Sequence, residues 1–353
     1  MDSRTAAVVG GLFLGLLVVP SLAAFAQTAP GPASKTVKAR ELSFTAMTPP
    51  TYPNSVLLQE WGKEIERRTQ GKVKFTFHFG GSLVEPAQTY SGIEKGVADA
   101  GWFVYGYTPG RFPLMEVLEL PLAFSSSKVG SRILGDVYEK YKPKEMSKVH
   151  FLFGNLSGPI HLDTIKPLRA LEDVKGLRIR AVGGTAKIVE KLGGSPVGMP
   201  LSEAFQAVQK GILNGVAQAS NGLGTGFMLG EVLHYTTKCY MTNYSFYTVM
   251  NLKVWNSLPP DVQKVFDEVS KEYQQEKVGK VWDDMDTGAL KLAAGKWKHE
   301  VITLAPAELK KWVDLYQPLT AEWVKEKEAQ GLPAKEVLEY VNQLREKYTK
   351  MYQ

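Results

Sequence analysis

Residues 171–215 read LEDVKGLRIRAVGGTAKIVEKLGGSPVGMPLSEAFQAVQKGILNG, and the order of patterns in this stretch decides the fold class. Between Gly176 and Val182, Leu177, Ile179 and Ala181 alternate with Arg178 and Arg180, which is the two-residue period of a strand. Thr185–Leu192 and Ser202–Lys210 then space their apolar residues as helices do. Gly211 closes the second helix, and Ile212–Gln218 returns to a strand. Strands that alternate with helices in this way predict an α/β sheet with helices packed on its faces.

The same alternation extends towards both ends. N-terminally, Arg40–Ala46 reads as a strand and Val56–Arg68 as a helix, with Asn54 in the N-cap position and Leu57, Leu58, Trp61 and Ile65 on one face. Val73–Phe79 is a strand with every second residue apolar, Pro86–Lys95 a helix and Ala98–Tyr105 a strand. A second series begins with a strand at His150–Phe153 and includes another at Tyr244–Leu252. A long helical region then runs from Pro259 to Trp297, and a charged helical stretch follows from Pro306. The chain has 353 residues, which suits two lobes. The expected architecture is α/β and two-lobed, each lobe a mixed sheet flanked by helices, with one long helix spanning both. Lobe I is assigned to 38–157 plus about 246–285, and lobe II to 158–245 plus about 286–353 with the C-terminal helices. In such folds a ligand sits in the crevice at the carboxyl ends of the strands.

The N-terminus has a different composition. Arg4 precedes an apolar run from Ala6 to Val19, and Ala24-Phe25-Ala26 follows. This is the pattern of a signal peptide, 1–26, cleaved before Gln27. A Pro- and Ala-rich linker, 27–37, leads into the mature chain. No later run reaches the length of a membrane span, so the expected product is exported and has no stable membrane insertion.

Composition narrows the function further. The formal charge is +6, but 42 Lys and Arg are interspersed with 36 Asp and Glu, which argues against a nucleic-acid stripe. The single cysteine, Cys239, can form no internal disulfide and belongs to no metal-ligand cluster. No phosphate-binding loop, dinucleotide fingerprint or nucleophile elbow is present, and the five histidines show no ligand spacing. The sequence therefore predicts no catalytic residue, no cofactor and no metal.

What remains is Arg180, near the carboxyl end of a core strand. A guanidinium there is costly unless it meets an anion or polar partners, and its planar fork matches a carboxylate. An ion pair with a nearby Asp or Glu is the alternative at this point.

The stretch resembles the solute-binding subunits of tripartite ATP-independent periplasmic (TRAP) transporters. It carries their lysine–glycine strand as Glu172-Asp173-Val174-Lys175-Gly176-Leu177-Arg178-Ile179-Arg180, followed by Met199-Pro200-Leu201-Ser202-Glu203 and Asn214-Gly215. Further matching segments are Thr69–Val73, Gly92–Asp99, Phe112-Pro113-Leu114 and Asn251–Trp255. The resemblance implies a periplasmic, non-enzymatic binder that closes on a small organic acid. It also implies delivery to TRAP membrane subunits, one small with four helices and one large with twelve. It selects Arg180 over Arg178 as the carboxylate clamp and places Asn214 and Gln218 where the family has an aspartate and an asparagine. A second arginine found in many dicarboxylate binders has no match at Ser157–His161, which favours a monocarboxylate, a 2-oxo or aromatic acid. Trp102, Phe103 and Tyr105, together with Tyr52, His161 and Tyr240, complete the candidate site; Tyr244 flanks the same return to lobe I. Two competing readings are a binder for an ATP-driven importer or sensor, and an exported hydrolase using His161 or Asp163.

Overall fold

The computed structural model describes residues 39–224 and 226–352. The expected signal peptide and linker both lie outside the described residues. In chain order the first elements are β1 (Arg40–Ala46), α1 (Pro53–Arg68), β2 (Val73–His78), α2 (Thr89–Lys95), β3 (Ala100–Val104), α3 (Ser127–Tyr141) and β4 (Val149–Leu156). The second series is β5 (His161–Thr164), β6 (Arg178–Arg180), α4 (Gly184–Lys191), β7 (Ser195–Val197), α5 (Leu201–Gln209), β8 (Gly215–Gln218) and β9 (Tyr235–Lys238). Then come β10 (Ser245–Asn251), α6 (Leu252–Asn256), α7 (Pro260–Glu272), a π-helical turn (Tyr273–Lys277), α8 (Val278–Trp297) and β11 (Glu300–Thr303). The helices α9 (Pro306–Tyr316), α10 (Leu319–Ala329) and α11 (Ala334–Tyr352) finish the chain.

Two mixed sheets organise these elements. The first has the order β2-β1-β3-β10-β4 and the second β11-β9-β5-β8-β6-β7. In the first, β1 is parallel to β2 and β3, while β10 is antiparallel to both β3 and β4. In the second, β6 is parallel to β7 and β8, and β5 is antiparallel to β8 and β9. The chain passes between the sheets in residues 157–160 and returns in residues 239–244. The two crossings are stitched together: Ser157 N donates to Tyr244 O at 2.8 Å and Ile160 N to Thr242 O at 2.8 Å. Satisfying backbone groups in pairs is what allows such segments to be buried.

The local reasons for the elements are visible in burial. In α1, Leu57, Leu58, Trp61 and Ile65 are the inward stripe, and Trp61 and Ile65 are wholly buried. The helix begins two residues earlier than an Asn54 cap implies, because Pro53 fits the first helical position and Tyr52 is the cap residue. Asn54 is instead buried within the first turn, where its Oδ1 accepts a hydrogen bond from Trp282 Nε1 at 3.0 Å. One apolar core joins one face of each sheet; a second lies on the other face of the first sheet, and a smaller third lies under α5. Of the C-terminal helices, α9 stays with the second series, where Tyr316 Oη donates to Cys239 O at 2.8 Å, but α11 does not. In α11, Val337, Val341 and Leu344 join the second core, and Tyr348 Oη donates to Asp136 on α3 at 2.5 Å.

Candidate functional site

Between the sheets lies a cleft lined by residues of both series. Its first wall is aromatic. Trp102 on β3 stacks on Phe246 of β10 with ring centroids 4.9 Å apart and planes 6° apart. Trp282 on α8 packs 4.5 Å from Phe246. Both tryptophan N–H groups are engaged outside the cleft, Trp102 with Asn155 Oδ1 at 3.4 Å and Trp282 with Asn54. Their apolar ring surfaces are therefore what the cleft receives.

Arg180 forms the opposite pole. It is the last residue of β6 and is only 2% exposed. Its guanidinium donates from Nε to Met199 O at 3.0 Å, from Nη1 to Tyr244 Oη at 3.4 Å and from Nη2 to Tyr107 Oη at 3.3 Å. All three acceptors are neutral, and among the described residues Arg180 forms no ion pair. The alternative of a structural pairing with a nearby acid is thereby ruled out. A buried cation with long, neutral hydrogen bonds is poorly compensated, so the cleft is primed for an anion. Arg178, two residues earlier, is exposed and donates to Gly211 O at 2.6 Å.

The third region is polar and sits beside Arg180. Gln218, at the end of β8, is buried and donates from Nε2 to Asp163 Oδ2 at 2.6 Å, while its Oε1 has no partner. Asp163 Oδ1 lies 2.5 Å from Thr236 Oγ1, which is 2.7 Å from His299 Nε2; His299 Nδ1 lies 2.9 Å from Leu233 O. Burial pushes the Asp163 carboxyl up to about 7, against the pull of its Thr236 and Gln218 hydrogen bonds.

Residues from both lobes close the mouth. Tyr52 Oη donates to Asn221 Oδ1 at 2.9 Å, and Phe227 meets the Tyr52 ring edge-on at 5.4 Å. Asn221 is held in turn by Asp286 on α8, which accepts from its N at 2.7 Å and its Nδ2 at 2.8 Å. Tyr107 completes a second bridge: its Oη accepts from Leu201 N at 3.0 Å as well as from Arg180.

Of the residues that the sequence nominates, Arg180, Trp102, Tyr52 and Gln218 line this cleft together. The other five do not. Phe103 follows Trp102 on a strand, so its side chain projects to the opposite face and packs against Tyr90 and Tyr247 in the second core. Tyr105 belongs to that core too, and its Oη donates to Phe112 O at 2.8 Å. Asn214 works at the base of β6, where its Oδ1 accepts from Arg178 N at 2.9 Å. His161 and Tyr240 pack on each other, with ring centroids 4.9 Å apart, and Tyr240 turns outward at 41% exposure. Burial lowers His161 to about 4, with a further contribution from Lys238. No hydrogen bond joins His161 to Asp163 among the described residues. Sequence reasoning missed Tyr107, Phe227, Phe246 and Trp282 as wall residues. Tyr107 could have been found from its place three residues past the end of β3; Trp282 could not, since its position depends on how α8 packs across the lobes.

Among the described residues no cluster of His, Cys, Asp and Glu is arranged to hold a metal ion, and no helix is long and apolar enough to cross a membrane. Two sheets joined by paired crossings, with an aromatic cleft and one unpaired arginine between them, define a two-lobed binding protein for small anions. Comparison with known proteins agrees. Residues 44–327 match the family model of bacterial extracellular solute-binding proteins, family 7, and the chain belongs to that family. It is similar to a TRAP periplasmic solute-binding protein from Desulfovibrio salexigens, at 36% identity over 87% of this chain and 96% of that one, with a TM-score of 0.77. A Rhodoferax ferrireducens TRAP binder with copurified benzoate superposes with a TM-score of 0.83 over 89% of this chain and 100% of that one, at 24% identity. A marine metagenome TRAP binder specific for aromatic acids, complexed with metahydroxyphenylacetate, gives a TM-score of 0.82 at 25% identity, over 87% of this chain and 99% of that one. The protein is a TRAP-type solute-binding subunit, and its family and these structural relatives are binders rather than enzymes.

Proposed function

We propose that the cleft captures a small organic acid with one carboxylate and a flat, apolar remainder, and that the loaded protein hands it to the TRAP membrane subunits outside the cytoplasm. The observation that carries this reading is the buried, unpaired guanidinium of Arg180 facing the Trp102–Phe246–Trp282 wall. A carboxylate accepts a forked pair of N–H bonds from Arg180, and a ring fills the aromatic end. A second carboxylate has no cationic partner among the lining residues, which supports a monocarboxylate. The relatives found with benzoate and metahydroxyphenylacetate are consistent with this class.

The test is calorimetry with benzoate and phenylacetate on the protein and on Arg180→Ala. The expected loss is about 2–5 kcal/mol, the range for removing one partner of a buried charge pair. Unchanged affinity in the variant would remove Arg180 from the binding role.

A further inference from the structure

Among the described residues, Gln218 is the one polar side chain lining the cleft with an unsatisfied buried atom, and the satisfaction is one-sided. Its NH₂ group is committed to Asp163 Oδ2 at 2.6 Å, which leaves the carbonyl Oε1 without a partner. Such one-sided satisfaction is uncommon for a residue only 2% exposed, because an unmet buried acceptor costs about 1–3 kcal/mol.

The groups behind Asp163 fix this orientation. Leu233 O can only accept, so His299 Nδ1 carries the proton and His299 Nε2 is an acceptor towards Thr236. Thr236 faces the other oxygen of Asp163, Oδ1. Whether Asp163 is ionised or carries its proton on Oδ1 towards Thr236, its Oδ2 offers only a lone pair to Gln218. The amide therefore turns its NH₂ to Asp163 and keeps its carbonyl free. Gly222 makes room for that carbonyl, since a Cβ there would lie 1.8 Å from Oε1. Gln218 and Arg180 project from neighbouring parallel strands, Arg180 being paired with Val216 and Gln218 lying two residues further along β8. Both residues line the cleft, so a ligand held by Arg180 shares it with Gln218.

We propose that Asp163 is a positioning residue that presents the Gln218 carbonyl to the ligand, and that the site therefore selects acids with a hydrogen-bond donor next to the carboxylate, 2-hydroxy acids above 2-oxo acids. A 2-hydroxy group donates to Oε1 and satisfies it. A 2-oxo group sets two acceptors against each other and leaves Oε1 unmet. This inference rests on the carboxylate-binding reading above and narrows it.

The experiment is calorimetry with three probes of one shape: 2-hydroxy-2-phenylacetate, 2-oxo-2-phenylacetate and phenylacetate. The expected order is hydroxy acid tighter than oxo acid by about tenfold or more, with phenylacetate between them. Asp163→Asn can offer Gln218 either a donor or an acceptor, so the ratio should fall towards one. Gln218→Leu should abolish the preference while all three acids still bind. Circular dichroism on both variants establishes that they are folded. Equal or tighter binding of the oxo acid by the unaltered protein overturns the proposal, as does an unchanged ratio in folded Asp163→Asn. The Arg180→Ala arm separates the two readings: loss of all three acids there with no hydroxy preference in the parent sustains the clamp and sinks the selectivity. Failure of the parent to bind any of the three overturns both.

Discussion

A buried ionisable side chain rewards scrutiny residue by residue, and Glu119 is a case in point. It lies at the seam between the lobes, only 4% exposed, where its Oε1 accepts from Ser245 N and Oγ at 3.0 and 2.8 Å. Burial raises its carboxyl to about 7 despite those bonds. A carboxyl whose pKa is higher folded than unfolded binds its proton more tightly in the native state. Its contribution to stability is complete below the unfolded value and is lost as pH rises through about 7. Glu119→Gln abolishes that titration. The stability of the parent, relative to the variant, should therefore fall by on the order of 2–3 kcal/mol between pH 5 and pH 8. Chemical denaturation at the two pH values measures it, and opposing groups such as His161 cancel because both proteins contain them. A parallel dependence in the two proteins would show that Glu119 does not titrate there. At this scale the sequence disclosed Arg180, because a cation placed at the end of an apolar strand requires a reason. It disclosed nothing of Glu119 and named Asp163 only as a hydrolase candidate, because the burial of both depends on what packs over them.

Elements explain why five of the nine nominated residues miss the cleft. The sequence nominates Trp102, Phe103 and Tyr105 together, yet a strand sends neighbours to opposite faces, so only Trp102 of the three reaches the ligand side. The periodicity that identified the strand already contained this division. The other missing walls come from β10 and α8, far off in sequence, and no local pattern joins them to β3. The same scale governs the clasp at the mouth. Tyr52 precedes α1 in the first lobe, and Asn221 belongs to a 3₁₀ turn in the second, secured by Asp286. Tyr52→Phe retains the ring against Phe227 and removes one cross-cleft hydrogen bond. With a bound aromatic acid, stopped-flow should show dissociation about 5–10 times faster, the equivalent of about 1 kcal/mol, with association little changed. An unaltered dissociation rate would mean that the Tyr52 hydroxyl plays no part in retaining the ligand.

For the whole molecule, hydrogen bonds that link Tyr52 with Asn221, and Tyr107 with Leu201 and Arg180, bridge the lobes across the cleft. The lobes are otherwise joined by the paired crossings at 157–160 and 239–244 and by the helix through the π-helical turn. Addition of a tightly bound acid should therefore reduce the radius of gyration in solution scattering, and Arg180→Ala should not compact with the same acid. A radius identical with and without ligand in the parent would exclude closure as the response to binding. The two-lobed plan was readable because α/β alternation is a local signal repeated many times. The placement of the C-terminal helices was not, since the apolar stripe of α11 is a helix pattern that fits either lobe until α3 receives it.

The position of β10 has a consequence for how the molecule is made. It lies between β3 and β4, and so fills the gap in a sheet whose other strands end at Leu156. Until residues 245–251 exist, β3 has one bare edge and Trp102 lacks the ring it stacks on. Pairing at such separation is slow, because the entropy of closing the long loop is lost before any contact compensates it. The first lobe cannot mature as the chain emerges; it must wait, adhesive and unfinished, until the strands of the second lobe have been synthesised. The two lobes are therefore a single kinetic unit, and a chain severed between them should yield two aggregating fragments rather than two small proteins.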